Sequence, residues 1–335
     1  MPECSVVLPV YNAAETLHEC LESIRAQTLS DWELVVVNDG SDDGSEEILT
    51  EVSVRNDRIK VVSPGRITLV PAINLGYQTA TADLIARMDA DDIMHPERLE
   101  KQVEFLRQHQ EIDVLATQVS LFPKEILQEG YREYVRWQNN CLTPEEIADN
   151  IFVESPLANP SVMYRRKVYE TFGPYRDGLF PEDYEFWLRL HAAGINMAKL
   201  PEVLLEWRES NDRATRTDPR FSRASFDSIR ADYLARDPRL HSGRAVVVWG
   251  AGRKTRQRVK LIEDRGVTIS AYIDIDPNKI GGWIGTAEVH GVEWLDRSPQ
   301  PFVLNYVTNH GARELISSEL EQRGYQRGED YLSVG

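Results

Sequence analysis

The sequence predicts an α/β protein in two parts: a mostly parallel twisted sheet flanked by helices, then a second, smaller α/β domain near the C-terminus. Three observations predict it. Short apolar runs alternate with segments of helical period from residue 5 to about 120, the pattern of βα units that build a sheet covered on both faces. The pattern breaks after Pro201 and restarts at Ala245. The chain has 335 residues, and single cores stop growing near roughly 250–300 residues.

Ser5-Val6-Val7-Leu8-Pro9 reads as a buried strand, and Leu17, Cys20, Leu21 and Ile24 mark a helix over 14–27. Leu34-Val35-Val36-Val37 is a second strand. It ends in Asn38-Asp39-Gly40-Ser41-Asp42-Asp43-Gly44-Ser45, a run of turn residues whose last member is placed to cap a helix. A strand at 59–62, a helix at 70–80 and a strand at 84–88 follow. Asp89-Ala90-Asp91-Asp92 comes next, then a helix opened by Pro96 and a strand at 114–118.

Residues 208–239 carry eight arginines and no lysine, with Asp-Pro steps at 218–219 and 237–238. This reads as an irregular arm and a linker helix near 221–235. The resulting division is 1–207, 208–243 and 244–335.

Composition narrows the function classes. The formal net charge is −16, so no excess of cations exists to neutralise a nucleic-acid backbone. Cys4, Cys20 and Cys141 form no Cys-x-x-Cys pair, which argues against a zinc site and for a reducing, cytoplasmic compartment. No run of 18 apolar residues exists, and the N-terminus lacks the features of a signal peptide. A lipid-borne acceptor would still bring such a chain to the inner face of a membrane. Homo-oligomers are compatible with everything above.

Ligands of parallel α/β sheets bind beyond the carboxyl ends of the strands. Asp39 and the 89–92 run both sit at such ends. Two or three carboxylates in a short loop offer the hard oxygens that Mg²⁺ or Mn²⁺ prefer, and such an ion neutralises a departing diphosphate. Taken alone, Asp-x-Asp is more often a solvated turn, and Asp39 is as readily an Asx turn under Gly40. Pro9, Tyr11 and Asn12 follow the first strand and offer a wall for a base. Glu182-Asp183 opens the helix Tyr184-Glu185-Phe186-Trp187-Leu188-Arg189. Asp183 there is either a helix-terminal anion or a general base. Among the tryptophans that can stack on a sugar, Trp137, Trp187 and Trp207, the choice falls on Trp187, with Glu182 beside it on the acceptor side. His95 reads as a turn residue before Pro96.

Residues 5–120 resemble family-2 glycosyltransferases of the GT-A fold. The resemblance rests on Ser5-Val6-Val7-Leu8-Pro9-Val10-Tyr11-Asn12, on Val36–Ser45, on Asn74-Leu75-Gly76 leading into Ala86–Asp92, and on Pro181–Arg189. Four motifs in order are far more specific than any one. The resemblance implies a nucleotide-sugar donor, with a UDP-sugar favoured, a divalent cation, and a saccharide or lipid-linked saccharide acceptor. It implies an inverting transfer in polysaccharide or glycoconjugate biosynthesis. It places Asp39 at the nucleobase, Asp89 and Asp91 at ribose and metal with Asp91 the direct ligand, and Asp183 as base. Arg66, Arg87, Arg213 and Arg216 are the arginines placed to meet the diphosphate.

Trp249-Gly250-Ala251-Gly252-Arg253-Lys254-Thr255 follows a strand and opens a helix, a Rossmann-like context, but Thr255 stands at the third glycine position. Packing or acceptor placement is the preferred role for this domain, ahead of nucleotide binding. Two other readings were weighed against transfer: a sugar nucleotidyltransferase, which lacks its glycine-rich loop at Val10–Ala14, and a nucleotide-binding scaffold, which would not need Asp183.

Overall fold

The fold is taken from a computed structural model that describes residues 1–210, 218–308 and 311–335. Among these residues the strands form two sheets, of eight and six strands. The first half alternates as predicted: β1 (Cys4–Val10), α1 (Ala14–Arg25), β2 (Trp32–Asn38), α2 (Ser45–Arg55), β3 (Ile59–Val62), α3 (Leu69–Thr79) and β4 (Leu84–Arg87). β1 lies in parallel register between β2 and β4, and β3 extends the row beside β2. Every residue of β1 and β2 is buried, as parallel strands covered on both faces require.

Ser45 does not cap α2. Gly44, with φ 97°, precedes the helix and Ser45 is its first residue. The Ser45 hydroxyl donates to Asp43 and accepts from the Ala13 amide, so it ties together the loops that follow β1 and β2.

Beyond β4 the sheet becomes mixed. Next come β5 (Ile93–Met94), α4 (Arg98–Gln108), β6 (Val114–Phe122), α5 (Glu129–Asn139), α6 (Pro144–Asn150), β7 (Met163–Arg165), α7 (Arg166–Phe172), α8 (Glu182–Ala192) and β8 (Met197–Arg208). β7 is inserted antiparallel between β4 and β6. β8 runs parallel to β6, and β5 pairs antiparallel with the end of β8. Three-residue β7 is too short for any periodicity to announce it. Its effect is large, because it separates the 114–122 strand from the parallel row.

Motif Asn74-Leu75-Gly76 has a packing explanation. A Cβ on Gly76 would sit 2.4 Å from a Val7 methyl, so only glycine lets α3 lie this close to β1. Asn74 pairs with both backbone groups of Tyr175, at 2.9 and 3.0 Å. It thereby fixes the segment that leads into α8.

After a 3₁₀ turn at Pro219–Phe221 and α9 (Arg223–Leu234), the chain builds β9 (Val246–Trp249), α10 (Arg253–Glu263), β10 (Ala271–Ile273), β11 (Trp283–Ile284), β12 (Ala287–His290), β13 (Phe302–Asn305), α11 (Ala312–Gln322) and β14 (Tyr331–Ser333). The strand order is β11-β12-β10-β9-β13-β14, parallel except at β11–β12. α9 packs against both α8 and α10, and one apolar cluster runs from Ile151 and Trp187 to Val248 and Val334. The two sheets therefore share a core. No helix among the described residues is long and apolar enough to cross a membrane.

Candidate active site

The loops after β1, β2 and β4 and the start of α8 build the site. Asp39 follows β2 and is 2% exposed. Its Oδ1 accepts the amides of Ile67 and Thr68 at 2.6 and 2.9 Å, and its Oδ2 is paired with the Arg66 guanidinium. Gly40, at φ 71°, admits the backbone of Arg66 within 2.8 Å of where a Cβ would stand. Arg66 is half exposed and lies 3.7 Å above the Tyr11 ring. Asp39 thus organises the 66–68 loop, with Arg66 lying between it and the Tyr11 ring. Asn12, at φ 50°, exchanges hydrogen bonds with Asp42 at 2.9 and 3.0 Å and fixes the loop after β1.

Two residues placed at the donor by the sequence are buried instead. Pro9 lies inside β1 with no exposed face. Arg87 is 1% exposed. The two are linked. Met88 donates its amide to the Val7 carbonyl at 3.1 Å, and the next rung of the ladder would come from residue 9, where proline has no N–H. The Arg87 guanidinium donates to the Met88 carbonyl in its place and also binds Asp89 at 2.6 Å. Arg87 therefore supports the acidic loop from beneath and touches no donor.

The acidic run is tied down on every side. Cys20 and Thr16 of α1 donate to the carbonyls of Asp89 and Ala90 at 3.4 and 3.0 Å. Asp92 is fully buried and accepts the Arg208 amide at 2.8 Å. Arg208 also donates to the Asp91 carbonyl at 2.5 Å, binds Glu19 and stacks 4.3 Å over Phe122. Asp92 and Arg208 join the acidic loop to β8. Asp89 and Asp91 keep partly exposed side chains. Among the described residues no group of three His, Cys, Asp or Glu side chains is placed to hold a metal ion. Two hard carboxylates suit Mg²⁺ or Mn²⁺ all the same, because such ions commonly take only one or two carboxylates and draw their other ligands from substrate phosphates and water. His95 is exposed and sits in a turn, where its ring accepts the Glu97 amide at 3.4 Å.

Asp183 lies in the first turn of α8 and accepts the Tyr184 amide at 2.7 Å. Burial pushes its carboxyl above the ordinary range, the Tyr184 amide opposes this, and Asp89 adds to the rise. Glu182 beside it is 4% exposed, and its Oε2 has no hydrogen-bond partner among the described residues. Burial, reinforced by Asp183, raises the Glu182 carboxyl as well, against the pull of Arg220 and Arg87. Below them Glu185, 1% exposed, is held by Arg189 at 3.0 Å and the Tyr233 hydroxyl at 2.5 Å. These contacts tie α8 to α9 and to the 173–176 turn.

Asp183 opens onto a cavity of about 380 Å³ walled by Tyr131, Tyr134, Trp207, Phe221 and Phe226. Trp187 is not among them. It is 0% exposed and packs 5.3 Å from Phe186 in the core, so it cannot stack on an acceptor. An i+4 position on a helix lies on the same face as its partner, and the face of α8 that follows Asp183 turns inward. Glu182 is also behind the wall. Of the three tryptophans considered from the sequence, Trp207 is the one that faces this space. Arg213 and Arg216 lie outside the described residues. Arg220, in the described part of the arm, is held by Asp218 at 2.6 Å and bears on the Glu182 charge. The arm's arginine content was the available signal for it; nothing in the sequence joined α5 to Asp183.

The raised carboxyls fix a pH dependence. A base works only when ionised, so activity should fall on the acid side at a higher pH than an ordinary aspartate, near 3.9, would give. Stability moves the other way. The fold holds these protons more tightly than the unfolded chain, so it loses stability as pH rises through the raised values. A kcat profile and a denaturation series over the same range check both signs. An acid limb at the ordinary aspartate value would contradict the assignment.

Comparison with known proteins agrees with the geometry. Residues 5–173 match the family described as Glycosyl transferase family 2; Asp183 and the second sheet lie beyond the match. The putative glycosyltransferase EpsE of Bacillus subtilis is 33% identical over 67% of this chain and 77% of its own length. The amylovoran biosynthesis glycosyltransferase AmsE of Erwinia amylovora is 34% identical over 62% and 77%. Among solved structures, S. aureus TarS 1–349 in complex with UDP-GlcNAc aligns with TM-score 0.52 at 18% identity, covering 70% of this chain and 72% of that one. At that identity the likeness speaks for the fold, a mixed sheet of GT-A type. With its family motifs placed at the carboxyl ends of one such sheet, the chain is a glycosyltransferase and belongs to glycosyltransferase family 2.

Proposed function

We propose that this enzyme is an inverting, metal-dependent transferase that moves a sugar from a nucleoside diphosphate, UDP by preference, to an acceptor hydroxyl. The observation that carries the reading is Asp183. A carboxylate with a raised pKa stands on the floor of an aromatic-walled cavity, close enough to Asp89 to feel its charge. Asp183 takes the proton of the acceptor hydroxyl. The freed oxygen attacks the anomeric carbon from the side opposite the diphosphate, and the diphosphate leaves with the bonding electron pair. Asp91, with Asp89, would hold a divalent cation, which supplies charge neutralisation for the leaving group. Tyr11 offers the base a stacking face once Arg66 moves, and Asp39 lies beneath it. Trp207 with Tyr131 and Tyr134 suits a sugar ring, since aromatic faces pack against its C–H groups.

Known relatives support the donor class. TarS was solved with UDP-GlcNAc, and the mannosyltransferase PcManGT of Pyrobaculum calidifontis with GDP-Man and Mn²⁺. The name of AmsE places that relative in amylovoran biosynthesis, which favours a polysaccharide or lipid-linked acceptor here. The division 1–207, 208–243 and 244–335 is proposed as transferase, arm and appended domain. Three free, buried cysteines favour the cytoplasm, with work at the inner membrane face when the acceptor is lipid-borne.

A screen of nucleotide sugars with Mn²⁺, reading thermal stabilisation and turnover, tests the reading. One donor should stabilise the chain, and EDTA should abolish turnover. Asp91→Asn should weaken Mn²⁺-dependent donor binding by a factor of roughly 10 to 100. Turnover that survives EDTA and Asp91→Asn unchanged would remove the metal from the mechanism.

A further inference from the structure

A second cavity, of about 740 Å³, opens where β9, β10 and β13 end and α10 begins. Its walls are apolar, made by Trp249, Ile275, Val292, Val307, Leu315 and Ile316. Ile275 and Leu315 are 77% and 74% exposed at its mouth, an unusual cost for large aliphatic side chains unless something covers them. One end carries Arg253 and Lys254; Lys279 nearby is held by Asp274 and Asp276 at 3.0 and 3.7 Å, and Glu319 also lines the cavity. α10 starts there without a side-chain cap on Gly252, and the first amides of a helix have no acceptor within it. An uncapped helix start beside Arg253 and Lys254 favours an anion.

Two hydroxyls point independently to a ligand. Thr255 and Tyr306 are 8% and 4% exposed and line this cavity, and among the described residues neither hydroxyl makes a hydrogen bond. The Thr255 oxygen is not sealed in the core, so it meets the cavity. A third polar group, the Arg258 guanidinium, is 9% exposed and lines the same space, with its Nε on Asp227 at 3.1 Å.

The geometry disfavours a dinucleotide. Asp274, which follows β10 where a ribose-binding carboxylate would stand, accepts the Ala251 amide at 2.8 Å, the Asp276 amide at 3.0 Å and the Lys279 ammonium at 3.0 Å. It closes the Gly250–Gly252 turn on itself and takes an amide that a pyrophosphate would need. What remains is one phosphate cradle, an apolar slot for a flat ring and hydroxyls between them. We infer that the C-terminal sheet carries a second ligand site, separate from the donor site, for a nucleoside monophosphate. This revises the packing role preferred from the sequence.

Calorimetric titration of the full chain with AMP, UMP, NAD⁺ and inorganic phosphate tests it, in wild type, Arg253→Glu/Lys254→Glu and Thr255→Val. Both cations are exposed, so the charge reversal should leave the melting temperature unchanged. A nucleoside monophosphate is expected to bind wild type and to weaken at least tenfold on charge reversal. Thr255→Val, which keeps the shape and removes the hydroxyl, should weaken it several-fold. Phosphate alone should bind far less well. The proposal fails if no nucleotide binding responds to either variant, if phosphate binds as tightly as the nucleotides, or if NAD⁺ binds more tightly than both monophosphates. Donor-site binding is unaffected by these variants, so failure here is distinct from failure of the transferase reading.

Discussion

Asp183→Asn is expected to lower kcat by a factor of roughly 100 to 10,000, the span that a positioned general base contributes, while donor affinity stays within about twofold of wild type. Asparagine keeps the size of the side chain and still offers an oxygen to the Tyr184 amide, so α8 should start as before. What is lost is the capacity to take a proton. Donor affinity should hold because Asp183 feels the charge of Asp89 but makes no hydrogen bond to the loops at Asp39 and Asp91 among the described residues. The fold should gain a little stability at neutral pH, since burial already disfavours the Asp183 charge. Steady-state rates with a saturating acceptor, together with donor titration, separate the two effects. Glu182→Gln is the control. Glu182 is buried and outside the cavity, so it should change kcat far less. If Glu182→Gln abolished transfer and Asp183→Asn left it within threefold, the two carboxylates would have to exchange roles.

Arg230→Met is expected to cost roughly 3–5 kcal/mol of stability, as breaking a buried ion pair from one side does. Arg230 is 4% exposed on α9. It donates to Asp227 at 2.7 Å, to the carbonyls of Gly335 and Val153 at 2.8 and 3.0 Å, and to the Tyr184 hydroxyl at 3.3 Å. Asp227 in turn accepts Arg258 of α10 at 3.1 Å. One guanidinium thus satisfies groups from α8, from the loop at Val153 and from Gly335 after β14, and it holds the Asp227 that binds Arg258 of α10. Methionine fills much of the space but leaves the carbonyls and Asp227 unpaired. Tyr184→Phe, which removes the acceptor of Arg230 and the donor to the Ile151 carbonyl, should cost less, about 1–3 kcal/mol. Arg55→Ala breaks an exposed pair with Glu51, 74% and 54% exposed, and should cost less than about 1 kcal/mol. Urea denaturation orders the three. Equal losses for Arg55→Ala and Arg230→Met would deny the network its role.

The acidic loop, Asp39 and Asp183 were legible in the sequence because each follows or opens a strongly patterned element. Strand β2 carries the apolar run Leu34–Val37, and turn residues after it mark a carboxyl end. The same logic misplaced Pro9, Arg87 and Trp187. Adjacency in sequence put them beside the site, while β1 and β4 are covered on both faces and α8 is buried on every side after Asp183. The tyrosines of the aromatic wall escaped, since Tyr131 and Tyr134 approach Asp183 only through the packing of α5, far from it in sequence.

The sequence by itself determined the α/β class, the run of parallel strands and the order of the four motifs. These depend on local periodicity, which each segment carries alone. Only the tertiary structure decided that β7 breaks the parallel row, that Arg87 replaces the amide Pro9 lacks, that Trp207 rather than Trp187 shares a cavity with Asp183, and that the second sheet shares a core with the first. Such facts depend on which face meets which neighbour, and a contact between distant segments is set by the whole fold's packing and hydrogen-bond satisfaction. No window of sequence contains both partners.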